Sequence, residues 1–111
     1  MIYIANAFSI SMLLEENSKV TVSQVAKETV QKILIATLPS DHVISGIGHA
    51  PTARIVSDML EYPVVTNRIN IQIDEKDILL VAQYCGTRLP EGATELPEGA
   101  EIKFFKITVS Y

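Results

Sequence analysis

Hydrophobic and polar positions change period several times along this chain, and each change marks an element. The opening stretch "MIYIANAF" (1–8) is rich in β-branched and aromatic residues and predicts a strand. A polar cluster follows and leads into "MLLEE" (12–16), which reads as a short helical turn, and "KVTV" (19–22) predicts a brief second strand. Over residues 24–37 the period lengthens: Val22, Val25, Ala26, Thr29, Val30 and Ile33 recur at helical spacing, with Ser23 placed to cap the first turn. Strand character returns in "DHVISGIG" (41–48).

A second helix is predicted over 49–62. Pro51 suits its first turn, where a missing N–H costs nothing, and Ile55, Val56, Met59 and Leu60 form an apolar stripe. Residues 64–73 then alternate from Asn67 onward, Asn70 and Gln72 separating Ile69, Ile71 and Ile73, and this predicts another strand. The unbroken apolar run "ILLVAQYC" (78–85) is typical of a central strand, and "EIKFFKITVSY" (101–111) predicts the last. Between these two lies a long loop in which "LPEGA" occurs twice, at 89–93 and 96–100; Pro-Glu-Gly is turn chemistry, so two successive turns are expected. The order predicts an α/β (α+β) fold: a single domain over 1–111 with a central mixed β-sheet of about five strands flanked by helices.

Composition narrows the class. A chain of 111 residues, 48% hydrophobic, has material for one core and no room for a second domain. No apolar run reaches the roughly 18–20 residues of a membrane span, so no membrane association is expected. The N-terminal stretch lacks the basic start of a signal peptide, and the lone Cys85 suits a reducing compartment; a cytoplasmic location is the expectation. Cys85 ends an apolar run and is expected to be buried and inert. There is no Cys/His cluster of the kind that holds zinc, and no cofactor motif. Thirteen acids against nine bases give a net charge of −4, which argues against a protein that coats long DNA or RNA. A small anionic ligand held by a few placed arginines stays open; the chain has three, Arg54, Arg68 and Arg88.

Chemistry gathers at "SGIGHAPT" (45–52). His49 falls between a predicted strand end and a predicted helix start, where anions are commonly received, and imidazole exchanges protons near neutral pH. A histidine in such a turn is ordinarily a surface residue, as His42 is expected to be. Arg88 and Glu91 sit three residues apart in the long loop: a guanidinium grips phosphate in two-pronged fashion, and a carboxylate can meet a ribose hydroxyl. The bland alternative is a solvated pair. Asn6, Ser9 and Ser11 are ordinary turn and capping residues that would also suit hydrogen bonds to sugar or base.

Taken in order, "IANAFSISML", "ISGIGHAPT", "TNRINIQI", "RLPEG" and "IKFFKITV" resemble successive blocks of the viral ring nucleases, the type III anti-CRISPR proteins of archaeal viruses and phages and their cellular relatives. The blocks cover nearly the whole chain. The resemblance implies a metal-independent phosphodiesterase, without cofactor, that cleaves cyclic tetra-adenylate to linear di-adenylate with 2′,3′-cyclic phosphate ends and so counteracts type III CRISPR signalling. It implies a homodimer with the ring across its two-fold axis. It places the catalytic histidine at His49 and the loop arginine and glutamate at Arg88 and Glu91. Ligand contacts fall on Asn6, Ser9, Ser11, Thr52 and Arg68, and on Gln83, whose register is loose. The sequence departs from the family's pattern after the histidine: Ala50 and Pro51 stand where an acidic residue and a serine are frequent. The second "LPEGA" also offers Glu98 as a rival to Glu91. Two other readings share these residues: a sponge that binds a cyclic oligonucleotide without cutting it, and a regulatory protein of a mobile element that binds a protein partner.

Overall fold

A computed structural model describes all residues, 1–111, as one five-stranded mixed sheet with two α-helices. The strands are β1 (Ile2–Ala5), β2 (Lys19–Val25), β3 (Val43–Ser45), β4 (Ile78–Cys85) and β5 (Glu101–Ser110), in the spatial order β2-β5-β4-β1-β3. The helices are α1 (Lys27–Ala36) and α2 (Ala50–Leu60). Strand β1 runs parallel to both β3 and β4, with Ile4 opposite Ser45 and Leu80. The antiparallel half pairs β4 with β5 and β5 with β2. The α+β class predicted from the sequence is the observed one.

Alternation along the strands splits the core between the two faces of the sheet. Ile4, Leu80, Ala82, Ile102 and Phe104 meet Val30 and Leu34 of α1 and Ala53, Val56 and Leu60 of α2. The opposite set, Ala5, Leu79, Val81, Ile107 and Val109, packs under Ile71 and Ile73, with Phe8, Met12 and Tyr111 alongside. One face is therefore roofed by helices and the other by irregular chain.

Four local expectations are corrected. Residues 64–73 form no ladder strand. They run extended, held by Asn67 N–H donating to the Ile47 carbonyl (2.8 Å) and Ile73 N–H donating to that of Met12 (2.9 Å), with one bridge between Leu13 and Ile73. Side chains supply the rest: Ser45 Oγ donates to the Val65 carbonyl (2.6 Å) and Asn67 Nδ2 to that of Ser45 (2.7 Å). The alternation still has a physical cause, since Ile71 and Ile73 are buried while Ile69 is exposed. Ser23 is not a helix cap but lies within β2, which extends to Val25 because all seven of its residues pair with β5. Helix α1 starts instead after Ala26, with no side-chain cap. The helical turn expected at 12–16 is a 3₁₀ turn at Ile10–Met12, capped by the Ser9 hydroxyl. Cys85 is half-buried rather than buried.

Because β1, β3 and β4 are parallel neighbours, their carboxyl ends, Ala5, Ser45 and Cys85, fall along one edge of the molecule. The segments beginning Asn6, Gly46 and Gly86 all leave the sheet there. In open α/β sheets this is the edge at which ligands collect.

Candidate functional site

Local chemistry fixes His49. Strand β3 ends at Ser45, and the backbone of 46–48 is drawn along β1 by Gly46 N–H donating to the Ile4 carbonyl (2.7 Å). His49 is the N-cap of α2 in extended conformation, and its carbonyl accepts the Ala53 N–H (3.0 Å). Its ring does not cap the helix. Nδ1 instead hydrogen-bonds Thr52 Oγ1 (2.8 Å), and Thr52 is itself buried at 5% exposure, so the ring leans on a fixed post. Nε2 has no partner within the protein. With Ala50 at the first helical position and Pro51 lacking an N–H, the backbone donors of this turn are those of Ala50 and Thr52.

The same turn holds Arg68. Its Nε donates to the Gly48 carbonyl (3.0 Å), and its aliphatic stem lies across Gly48 so closely that a Cβ there would come within 2.7 Å of Arg68 Cγ. Glycine is needed here for close approach, not for backbone conformation.

The third element is the loop after β4. Leu89 anchors it in the helix-side core at 9% exposure, so the loop is tied down near its start. Both Pro-Glu-Gly stretches are turns, Ala93 N–H donating to the Pro90 carbonyl and Ala100 N–H to that of Pro97, each at 3.1 Å, with Gly92 and Gly99 both at φ +79°. That φ is why glycine stands third in each.

These three segments enclose a cavity of about 910 Å³, lined by His49, Arg54, Arg68, Arg88 and Glu91 among others. It lies at the large end of the roughly 300–1,000 Å³ typical of small-molecule sites. Of the residues singled out in the sequence, His49, Arg68, Arg88 and Glu91 are brought together here, with Thr52 behind the imidazole. Glu98, in the second turn, is exposed and outside the cavity wall, so Glu91 is the glutamate that faces it. Asn6, Ser9, Ser11 and Gln83 are not on the wall. Ser9 and Ser11 bond to each other (Oγ to Oγ 2.9 Å) on the exposed N-terminal turn. Gln83 is exposed and alternates with Leu79 and Val81, so it projects from the sheet face opposite the helices. Arg54, which the sequence offers as one of three arginines without a role of its own, also lines the cavity.

All three arginines of the chain thus line one cavity. Three guanidiniums against the single Glu91 give the wall a charge of +2 with His49 neutral, in a chain of net charge −4. None is neutralised by an ion pair: the two in the protein are Met1 amino group to Asp77 (3.1 Å) and Lys103 to Glu101 (3.8 Å). No three His, Cys, Asp or Glu side chains gather closely enough to form a metal cage.

Fold and site together define a small α+β domain with an arginine-lined, histidine-bearing cavity at the carboxyl edge of its parallel strands. The chain belongs to the STIV B116-like family, whose pattern it matches over residues 2–109, and the family is one of archaeal viruses. It is 28% identical over 113 aligned positions, 93% of this chain and 90% of the other, to the uncharacterized protein ORF116 of Acidianus filamentous virus 1. It is also similar to the solved structure of B116 of Sulfolobus turreted icosahedral virus, with a TM-score of 0.81 and 27% identity over 96% of this chain and 97% of that one. Both of these relatives are viral proteins. No helix is long and apolar enough to cross a membrane.

Proposed function

We propose that the protein is a ring nuclease that cuts cyclic tetra-adenylate into linear di-adenylate with 2′,3′-cyclic phosphate ends, so opposing type III CRISPR signalling in the host cytoplasm. The observation that carries this reading is the convergence of His49, Arg68, Arg88 and Glu91 from three separate segments onto one cavity whose charge is opposite in sign to that of the chain. An adenosine 2′-oxygen attacks the adjacent phosphorus in line, giving up its proton to Glu91, and the bond from phosphorus to the 5′ oxygen breaks. His49 Nε2 delivers a proton to that departing oxygen, leaving a 5′-hydroxyl on one side and a cyclic phosphate on the other. While the ring is doubly protonated, Nδ1–H donates to Thr52 Oγ1, which keeps Nε2 turned toward the cavity. The nucleophile belongs to the substrate, so proximity is supplied by binding alone. Arg68 and Arg88 offset the charge that builds on the phosphoryl oxygens.

A four-fold ring presents equivalent phosphates, and a two-fold homodimer meets two of them at once. In that arrangement Asn6, Ser9 and Ser11, which lie off the cavity wall, are left for parts of the ring beyond it, whereas Gln83 projects from the opposite sheet face.

The test is incubation of the purified protein with cyclic tetra-adenylate in EDTA, beside His49→Ala, with products separated by chromatography. The expected result is cyclic-phosphate di-adenylate from the wild type and a rate lower by about 10²–10⁴-fold in the variant, the usual worth of a general acid. Binding without cleavage by both proteins would replace the nuclease with a sponge.

A further inference from the structure

Arg54 is not accounted for by the chemistry above. It lines the same cavity as His49, Arg68 and Arg88, and it comes from α2, not from a loop. Its neighbourhood offers an obvious partner that it does not take. Asp58 lies four residues further along the same exposed helical surface, at the spacing of a helical ion pair, yet the two are not bridged. Side chains on a helix lean toward its N-terminus, which carries Arg54 toward Pro51 and the cavity mouth and away from Asp58. The positions ahead of it, Ala50 and Pro51, bring no polar side chain, and Pro51 brings no N–H. Arg54 is therefore the one charged side chain that α2 brings to the cavity wall. Arg54 stands five positions after the N-cap His49, a backbone rise of about 7.5 Å along the axis. Both side chains line the cavity from different points along the helix, so they address different parts of whatever fills it.

We propose that Arg54 is a specificity-determining residue: it binds the phosphate next to the one being cleaved, so the site selects a chain of at least two phosphodiesters over an isolated one. This rests on the ring-nuclease reading. A contact to a non-reacting phosphate is equally strong in ground and transition states, so its loss raises KM and leaves kcat alone.

The experiment compares wild type, Arg54→Gln and Arg54→Lys. Cleavage of cyclic tetra-adenylate gives KM and kcat, and binding is measured in a His49→Ala background against two probes, cyclic tetra-adenylate and the one-phosphate dinucleoside adenylyl-adenosine, the latter by competition. Arg54→Gln is expected to weaken the ring about 10- to 100-fold, the worth of a charge-assisted hydrogen bond. Its affinity for the one-phosphate probe and its kcat are expected to stay within twofold of wild type. Arg54→Lys is expected to fall between, keeping the charge but not the fork. Unchanged ring binding in Arg54→Gln, or equal loss for both probes, overturns the assignment while leaving the nuclease intact. A wild type that neither binds nor cuts the ring overturns the ring-nuclease reading and this assignment with it.

Discussion

Gly48 separates binding from stability in this protein, and one methyl group tests it. In Gly48→Ala the new Cβ would sit 2.7 Å from Arg68 Cγ, nearer than carbons tolerate, so the arginine stem must swing away. It can do so cheaply, because Arg68 is exposed and its Nε bond to the Gly48 carbonyl (3.0 Å) is replaceable by water. The folded state loses up to about 1 kcal/mol from that hydrogen bond, while removing a glycine from the unfolded ensemble returns about 0.4–1 kcal/mol. Net stability should change by less than about 1 kcal/mol. Ligand binding should not escape so lightly: an arginine displaced from the wall forfeits the phosphate contact proposed for it, about tenfold or more in affinity. Gly46→Ala makes the contrast. There the Cβ would lie 2.5 Å from Ile71 Cδ1 in a packed core, where overpacking costs about 1–3 kcal/mol, and the arginine is untouched. Urea unfolding and titration with cyclic tetra-adenylate, run on both variants and on Arg68→Ala, check the scheme. If Arg68→Ala binds weakly and Gly48→Ala binds like wild type, Gly48 does not seat the arginine.

Two further predictions follow from single contacts. Thr52→Val is nearly isosteric and removes the hydroxyl on His49 Nδ1; ring cleavage should slow about tenfold, short of the ~10²–10⁴ expected for losing the imidazole itself, while Thr52→Ser retains most activity, as steady-state rates would show. Tyr3 has its phenol pKa raised by burial and by the nearby Asp77 charge, so the folded state holds that proton more tightly than the unfolded chain does. Stability is then unaffected below about pH 10 and declines as pH rises past it, and Tyr3→Phe should flatten that decline in thermal melts taken from pH 9 to 11.

The sheet was legible wherever the strand pattern was backed by burial. "ILLVAQYC" reads as central because both faces of β4 are covered, and Leu79 and Leu80 are each fully buried on opposite sides. The pattern misled where tertiary contacts decide. Ile71 and Ile73 alternate correctly for a buried face, yet no neighbouring strand is free to ladder with them; β3 is only three residues long, and Ser45 and Asn67 side chains take the place of backbone pairing. Ser23 has the chemistry of a cap but lies opposite Lys106 in a ladder that a capping bond cannot outweigh. At the site, His49, Arg88 and Glu91 were found through short motifs with local meaning. Arg54 has none; the available signal was arithmetic, the one arginine of three left without a role. That Glu91 and not Glu98 meets the cavity is invisible in two identical pentapeptides and is decided by where Leu89 is buried.

The duplicated turn also gives the loop a unit of length. The ends of the β4–β5 hairpin are set by strand pairing, Cys85 opposite Glu101, and not by the connection between them. The two "LPEGA" units, seven residues apart, close on themselves with the same hydrogen bond and the same glycine conformation. Gaining or losing one unit alters loop-closure free energy by only about 0.6 kcal/mol per doubling of length, without shifting a single pair in the sheet. Only the first unit carries a cavity residue. The second lies outside the cavity wall, with Leu96 partly buried against the helix-side core, so adding or removing such a unit changes the reach of the loop beyond Arg88 and Glu91.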